Sequence, residues 1–134
     1  MRKTLFALIS LIVGTAAHPE SLVYDRDLAI AAGKAYVEAY WRVHLALAPI
    51  VLAWDRVDLV AVSTPGQTRQ DGVVGVFFPE SVGPGVGFAC FAAVGGPDHL
   101  IPTSWGRSGN IEKAIKSFRL HAKETQCISD DGFF

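Results

Sequence analysis

Two apolar segments separated by a turn-forming stretch constrain the fold of this chain more than any other part of the sequence. The segments are residues 73–78 and 86–94, and residues 79–85 between them read Pro-Glu-Ser-Val-Gly-Pro-Gly. β-Branched and aromatic residues bounded by Gly and Pro are typical of two strands joined by a turn. We therefore predict a pair of β-strands here, with Cys90 in the middle of the second strand.

Residues 1–17 have the pattern of a secretory signal peptide. A basic start at Arg2 and Lys3 precedes an apolar run over residues 4–14, and small residues follow up to Ala17. The apolar run is shorter than the roughly 20 residues that a membrane-spanning helix needs. We predict cleavage after Ala17, a single mature domain at residues 18–134, no stable membrane span after cleavage, and a periplasmic or secreted location.

The two cysteines, Cys90 and Cys127, are the only pair available for a disulfide. An exported chain meets an oxidising compartment, where such a pair tends to be bridged. No second Cys or His lies at metal-ligand spacing around either cysteine, so a metal site is the weaker alternative. The sequence predicts a Cys90–Cys127 bridge that joins the second strand to the end of the chain's last helix.

A long helix is predicted before the strands, at residues 28–46. Its apolar residues recur near a 3.6-residue period and predict one buried stripe. The stripe consists of Leu28, Ala32, Ala35, Tyr36, Ala39, Val43 and Leu47. Lys34, Glu38 and Arg42 lie four residues apart on another side and predict a ladder of ion pairs. Asp25 or Asp27 is expected to cap the helix N-terminus.

The remaining elements complete an α+β domain. We predict a strand at residues 57–63, a short edge strand at 99–103 that Pro102 limits to the edge, and a loop at 105–109. A last helix is predicted from the N-cap Asn110 to about residue 125, with a basic exposed side. The predicted fold is therefore a small antiparallel sheet of three to four strands, flanked by an N-terminal and a C-terminal helix, with one disulfide.

The sheet is predicted to be apolar on both sides, which leaves three arrangements open. The two helices could cover opposite faces, or the residues before the first helix and the loop containing Trp105 could fold over one face. Alternatively, one face could bind a partner or a second copy of the chain, because monomers seldom leave large apolar patches open.

Charge and histidine spacing argue against two classes of function. The chain carries a formal net charge of −1, and loss of Arg2 and Lys3 makes the mature domain more acidic. Nucleic-acid-binding proteins are usually basic, so no nucleic-acid partner is predicted. The histidines are scattered and lack metal-ligand spacing, so we predict no metal and no cofactor. They are His18, His44, His99 and His121.

Asp98, His99 and Ser104 provide the residue types of a hydrolase site. His can act as a base, Asp can orient it and Ser can attack a carbonyl. However, no Gly-x-Ser-x-Gly elbow is present, and Asp98 after Pro97 is more simply explained as a turn residue. A small secreted hydrolase is therefore the alternative function rather than the first prediction.

Trp105 and Arg107 are the predicted binding residues. They lie among Gly and Ser residues, and Trp and Arg are enriched at binding hot spots. Trp105 could equally fill the edge of the core, and Trp41 and Trp54 carry the same ambiguity. The sequence favours a small exported binding protein, inhibitor-like or immunity-like, that contacts a protein partner in the cell envelope. A structural subunit of an envelope assembly and a homodimer are the other forms that such contacts could take.

Overall fold

A computed structural model describes residues 22–44, 52–63 and 71–122. The predicted signal peptide and Cys127 lie outside these residues. Within the described residues two helices and four strands are formed, and the strands make one antiparallel sheet in chain order. The elements are α1 (Arg26–His44), β1 (Asp58–Ser63), β2 (Gly72–Pro79), β3 (Val86–Ala93), β4 (Leu100–Ser108) and α2 (Ile111–Ala122). The predicted α+β class is confirmed.

The two helices lie on opposite faces of the sheet. Alternate residues of β3 point to opposite sides, so Ala89 and Phe91 pack in the cluster under α1, whereas Phe88 and Cys90 pack in the cluster under α2. Phe118 of α2 is buried in that second cluster. Both sheet faces are therefore covered from within the chain, and the first of the three predicted arrangements is the one that forms.

Side-chain caps determine where both helices begin. The Asp25 carboxylate accepts a hydrogen bond from the backbone N–H of Leu28, and Asn110 Oδ1 accepts one from the N–H of Lys113, each at 3.0 Å. Such bonds satisfy backbone N–H groups that have no partner within the helix. Both caps were predicted, and α1 begins two residues before the predicted start because Asp25, rather than Asp27, is the cap.

The predicted buried stripe of α1 is largely wrong. Of its members, Leu28, Ala35, Ala39 and Val43 are exposed. The residues buried instead are Ala29, Gly33 and Val37. Helix α1 has small or apolar residues on most of its sides, so periodicity alone did not define one face. Gly33 determines which face of α1 is buried, because the face that contains this glycine can lie closer to β2 than any other face.

The ion-pair ladder on α1 is also wrong. Among the described residues, the only close contacts between basic and acidic side chains are His99–Asp98 and Arg107–Glu80. The Lys34 ammonium instead lies 5.4 Å from the centroid of the Trp54 ring. An exposed ion pair is worth only a few tenths of a kcal/mol, so a cation–π contact of similar strength can replace it.

Strand β4 is an edge strand, as predicted, but it is longer than expected. The register shifts between Cys90 and Phe91, whose partners are Ser104 and Pro102. This irregularity leaves Thr103 without a Cα partner on β3, and its hydroxyl donates to the Cys90 carbonyl at 3.2 Å. A β-bulge accommodates the missing N–H of a proline. The strand therefore continues to Ser108, and the loop predicted at residues 105–109 is wrong.

Candidate functional site

Trp105 lies on edge strand β4, on the face of the sheet that carries α1. It pairs with Ala89, and its ring packs against Tyr36 of α1 with centroids 4.7 Å apart and planes inclined by 33°. The residue is nevertheless 42% exposed. Trp105 is thus held in place on one side and open to solvent on the other.

Tyr36 connects Trp105 to the core. Its ring makes an edge contact with the buried Phe91, with centroids 6.1 Å apart and an interplanar angle of 63°. Offset and edge-on aromatic contacts of this kind favour specific ring orientations. Because Tyr36 packs against it and is itself in contact with Phe91, the Trp105 ring has a supported orientation although it stands on an edge strand.

Arg107 is engaged within the protein. Its Nη2 lies 3.2 Å from the Glu80 Oε2, and the two side chains are 27% and 10% exposed. The guanidinium carbon lies 5.9 Å from the centroid of the Trp41 ring. A charged pair this far from solvent is screened less than a surface pair. Arg107 therefore holds β4 to the end of β2, two residues from Trp105.

The turn after β2 closes around Glu80. The backbone N–H of Glu80 donates to the Gly85 carbonyl at 2.9 Å, and Arg56 Nη2 donates to the Glu80 carbonyl at 3.2 Å. The Glu80 carboxylate packs so closely on Gly85 that a β-carbon there would collide with it. Gly83 has a φ of 105°, which glycine adopts without strain. The turn thus presents the carboxylate to Arg107.

Sequence reasoning missed the role of Glu80, although one signal was available. Glu80 is the only charged residue between Gly72 and Pro97. A single charge in a long apolar region is expected to be paired, because burial of an isolated charge is costly. The sequence could not show that the partner is Arg107, because Glu80 follows β2, Arg107 lies on β4, and β3 lies between these two strands.

Two buried donors accompany this ion pair. Trp41 Nε1 and Arg107 Nε have no hydrogen-bond acceptor within the described part of the chain. A β-carbon at Gly87, which pairs with Arg107, would lie 3.1 Å from Trp41 Nε1. Glycine at this position therefore allows the indole to reach the sheet beside the guanidinium.

The structure does not bring together the residues of the alternative hydrolase site. His99 Nε2 lies 3.8 Å from Asp98 Oδ1, and both side chains are exposed. Ser104 pairs with Cys90, on the face that carries α2. Leu100, which follows His99, is four strand residues from Ser104, or about 13 Å. His99 and Ser104 are thus separated along an extended strand and cannot form a base–nucleophile pair there.

The described residues contain no group of three or more His, Cys, Asp or Glu side chains placed to hold a metal ion. His121 Nδ1 donates to the Ser117 carbonyl of its own helix at 2.9 Å. His18 and the His44 side chain lie outside the described residues.

In the described regions, neither helix combines the length and the apolar composition needed to cross a membrane.

Comparison of the chain with protein-family models, curated proteins and solved structures found no match. The fold and the site define an α+β domain with helices on both sides of its sheet and a supported aromatic residue on the edge strand of the described sheet.

Proposed function

We propose that the protein is a small exported binding protein that acts through protein–protein contact. The observation that carries this proposal is the half-exposed Trp105 ring, which is supported by Tyr36 and stands on the edge of the sheet. Tryptophan is enriched at interface hot spots, and a rigid aromatic side chain loses little conformational entropy on binding. Tyr36, Pro102 and Trp105, which share the α1 side of the sheet, are called the Trp105 surface below.

The backbone of β4 adds to this surface. In the described residues β4 has one strand neighbour, β3, and its other edge is where a partner segment would pair. A partner segment could add a strand there while a pocket on the partner takes the Trp105 ring. Pro102 and the nearby bulge disfavour pairing along the first half of the strand. The half that contains Trp105 and Arg107 is therefore the proposed contact, and Arg107 acts by positioning Trp105.

The pattern of residues 1–17 supports a partner in the cell envelope, in the periplasm or outside the cell. An inhibitor-like or immunity-like protein that covers part of another envelope protein matches such a surface. A structural subunit joined through an open sheet face is less well supported, because the helices cover both faces.

A Cys90–Cys127 disulfide remains part of the proposal. Cys90 is buried on the α2 side, in one cluster with Phe118 and Ala122. Ala122 is the last described residue of α2, and Cys127 follows five positions later. The chain therefore leaves α2 from the side of the sheet on which Cys90 lies, which favours the bridge.

Site-specific photo-crosslinking tests the proposed binding function. The exported protein is produced with Trp105→benzoylphenylalanine, and Val82→benzoylphenylalanine is the matched control because Val82 is 89% exposed on the turn. We expect position 105 to yield an adduct of one defined mass and position 82 to yield none. Trp105→Ala should weaken capture of that partner by roughly thirtyfold, as for a hot-spot residue. Equal adducts at both positions, or none at position 105, would contradict the proposal.

A further inference from the structure

The outward face of α1 carries apolar residues along its length, with Arg42 adjoining them near its end, and no described element packs on it. Leu28 is 38% exposed and Val43 is 71% exposed, and three alanines between them, Ala31, Ala35 and Ala39, are exposed as well. Residues three and four apart on a helix lie on one side. We call this side the α1 outer face, and its members are Leu28, Ala31, Ala35, Ala39 and Val43.

Such a face is suited to close contact with another helix. Alanine side chains allow two helix backbones to approach to the short end of the usual 8–10 Å range. The larger Leu28 and Val43 lie near opposite ends of α1, so they would pack at both ends of the contact. A continuous exposed apolar patch on a folded domain commonly marks an interaction site.

The charged residues beside this face indicate which helix could bind to it. Asp27 lies in the first turn of α1 and Arg42 near its end, and both are exposed. Neither makes an ion pair with any of the described residues. When two copies of α1 run antiparallel and cross near Ala35, Asp27 of each copy lies opposite Arg42 of the other. The pattern is therefore complementary to itself, and antiparallel helix dipoles also attract.

We propose that the α1 outer face binds a second copy of this chain, with the two α1 helices antiparallel about a two-fold axis near Ala35. A two-fold interface uses the same patch on both subunits, so each favourable contact occurs twice. The resulting dimer has the order sheet, α1, α1 and sheet. This inference does not rest on the proposed role of Trp105, which packs on Tyr36 at the flank of α1.

Charge exchange provides the decisive test. The mature protein is studied by sedimentation equilibrium at low salt, with Asp27→Arg, Arg42→Asp and the double variant. Each single change places two like-charge pairs across the interface, so we expect the dimer dissociation constant to rise roughly tenfold. The double variant restores both pairs and should return to within about twofold of the parent value. Lys116→Glu on α2 is the matched control and should leave dimerisation unchanged.

The position of the axis is tested separately. Ala35→Cys should give a covalent dimer under mild oxidation, and Ala35→Arg should give a monomer whose circular dichroism matches that of the parent. A parent protein that stays monomeric up to about 0.1 mM overturns the proposal, since a weaker dimer would have no structural role. Failure of the double charge variant to restore dimerisation also overturns it. Loss of dimerisation in these variants with crosslinking at Trp105 retained would separate this inference from the binding proposal.

Discussion

Gly33 of α1 lies so close to Val76 of β2 that a β-carbon at position 33 would be 3.1 Å from the Val76 Cβ. This contact determines which side of α1 faces the sheet. It places Ala29 and Val37, one turn away on either side, in the core. The larger apolar residues Leu28 and Val43 are thereby turned outward.

Substitutions on the two sides of α1 should differ greatly in how much they destabilise the protein. Gly33→Leu must push the helix away from Val76, and we expect it to lower the free energy of unfolding by about 3 kcal/mol. Ala39→Leu, on the exposed side, should change it by less than about 0.5 kcal/mol. Urea denaturation of both variants checks this at a protein concentration below the dissociation constant of the proposed dimer, so that contact of Ala39 with a second copy does not contribute. If Ala39→Leu were the more damaging change, the assigned orientation of α1 would be wrong.

The Glu80–Arg107 pair should contribute measurably to stability. Glu80→Gln leaves the half-buried guanidinium without its carboxylate, and we expect a loss of about 1–3 kcal/mol. A double-mutant cycle with Arg107→Met should show a coupling of about 1 kcal/mol or more. Asp98→Asn is the control, because the exposed Asp98–His99 pair should be worth less than about 0.5 kcal/mol. Equal effects of the two carboxylate changes would refute a structural role for Glu80.

Gly85 is expected to tolerate no side chain. A β-carbon there collides with the Glu80 carboxylate, so Gly85→Ala must displace Glu80 or open the turn. We expect a loss of about 1–3 kcal/mol, the usual range for an overpacked site. A β-carbon at Gly109 meets nothing within 4 Å, so Gly109→Ala is the matched control and should be nearly neutral. Thermal unfolding of the two variants compares them, and a neutral Gly85→Ala would contradict the described turn.

The Tyr36–Trp105 contact should make a small but measurable contribution to the free energy of unfolding. Aromatic pairs are worth about 0.5–1.5 kcal/mol beyond their buried area, so Tyr36→Leu and Trp105→Leu should couple by that amount in a double-mutant cycle. Trp105 fluorescence alone cannot report this because Trp41 and Trp54 also emit, so unfolding is followed by circular dichroism. If the two substitutions changed the free energy of unfolding by strictly additive amounts, Tyr36 would not support the Trp105 ring. Trp105 would then not be a rigid hot-spot residue.

The predicted disulfide has its own test. A Cys90–Cys127 bridge closes a loop of roughly 38 residues, for which the chain-entropy relation gives about 4 kcal/mol as an upper figure. Replacing both cysteines by Ala should lower the free energy of unfolding by up to this amount. The reductant-treated parent should lose a similar amount, whereas the double variant should not respond to reductant. Two thiols that titrate in the native exported protein would exclude the bridge.

Local patterns were sufficient for most of the elements. The strand pair around residues 79–85, the cap Asn110 and the basic exposed side of α2 were all predicted, because each depends on residues close together in the sequence. Helix α2 has one apolar side and one basic side, so only one orientation buries Ala114 and Phe118. The end of β4 was missed because Pro102 suggested that the strand stops there. The register shift, in which Phe91 pairs with Pro102 and Cys90 with Ser104, shows how the strand continues beyond the proline.

The sequence by itself determined the fold class, the α2 face and the turn between β2 and β3, since hydrophobic period and turn chemistry are local properties. The tertiary structure alone decided which side of α1 is buried, because nearly every side of that helix could have been. It also decided that Glu80 meets Arg107 and that Trp105 meets Tyr36. These contacts join residues that are far apart in the chain, and their formation depends on how closely two backbones approach, which glycines such as Gly33 and Gly85 allow.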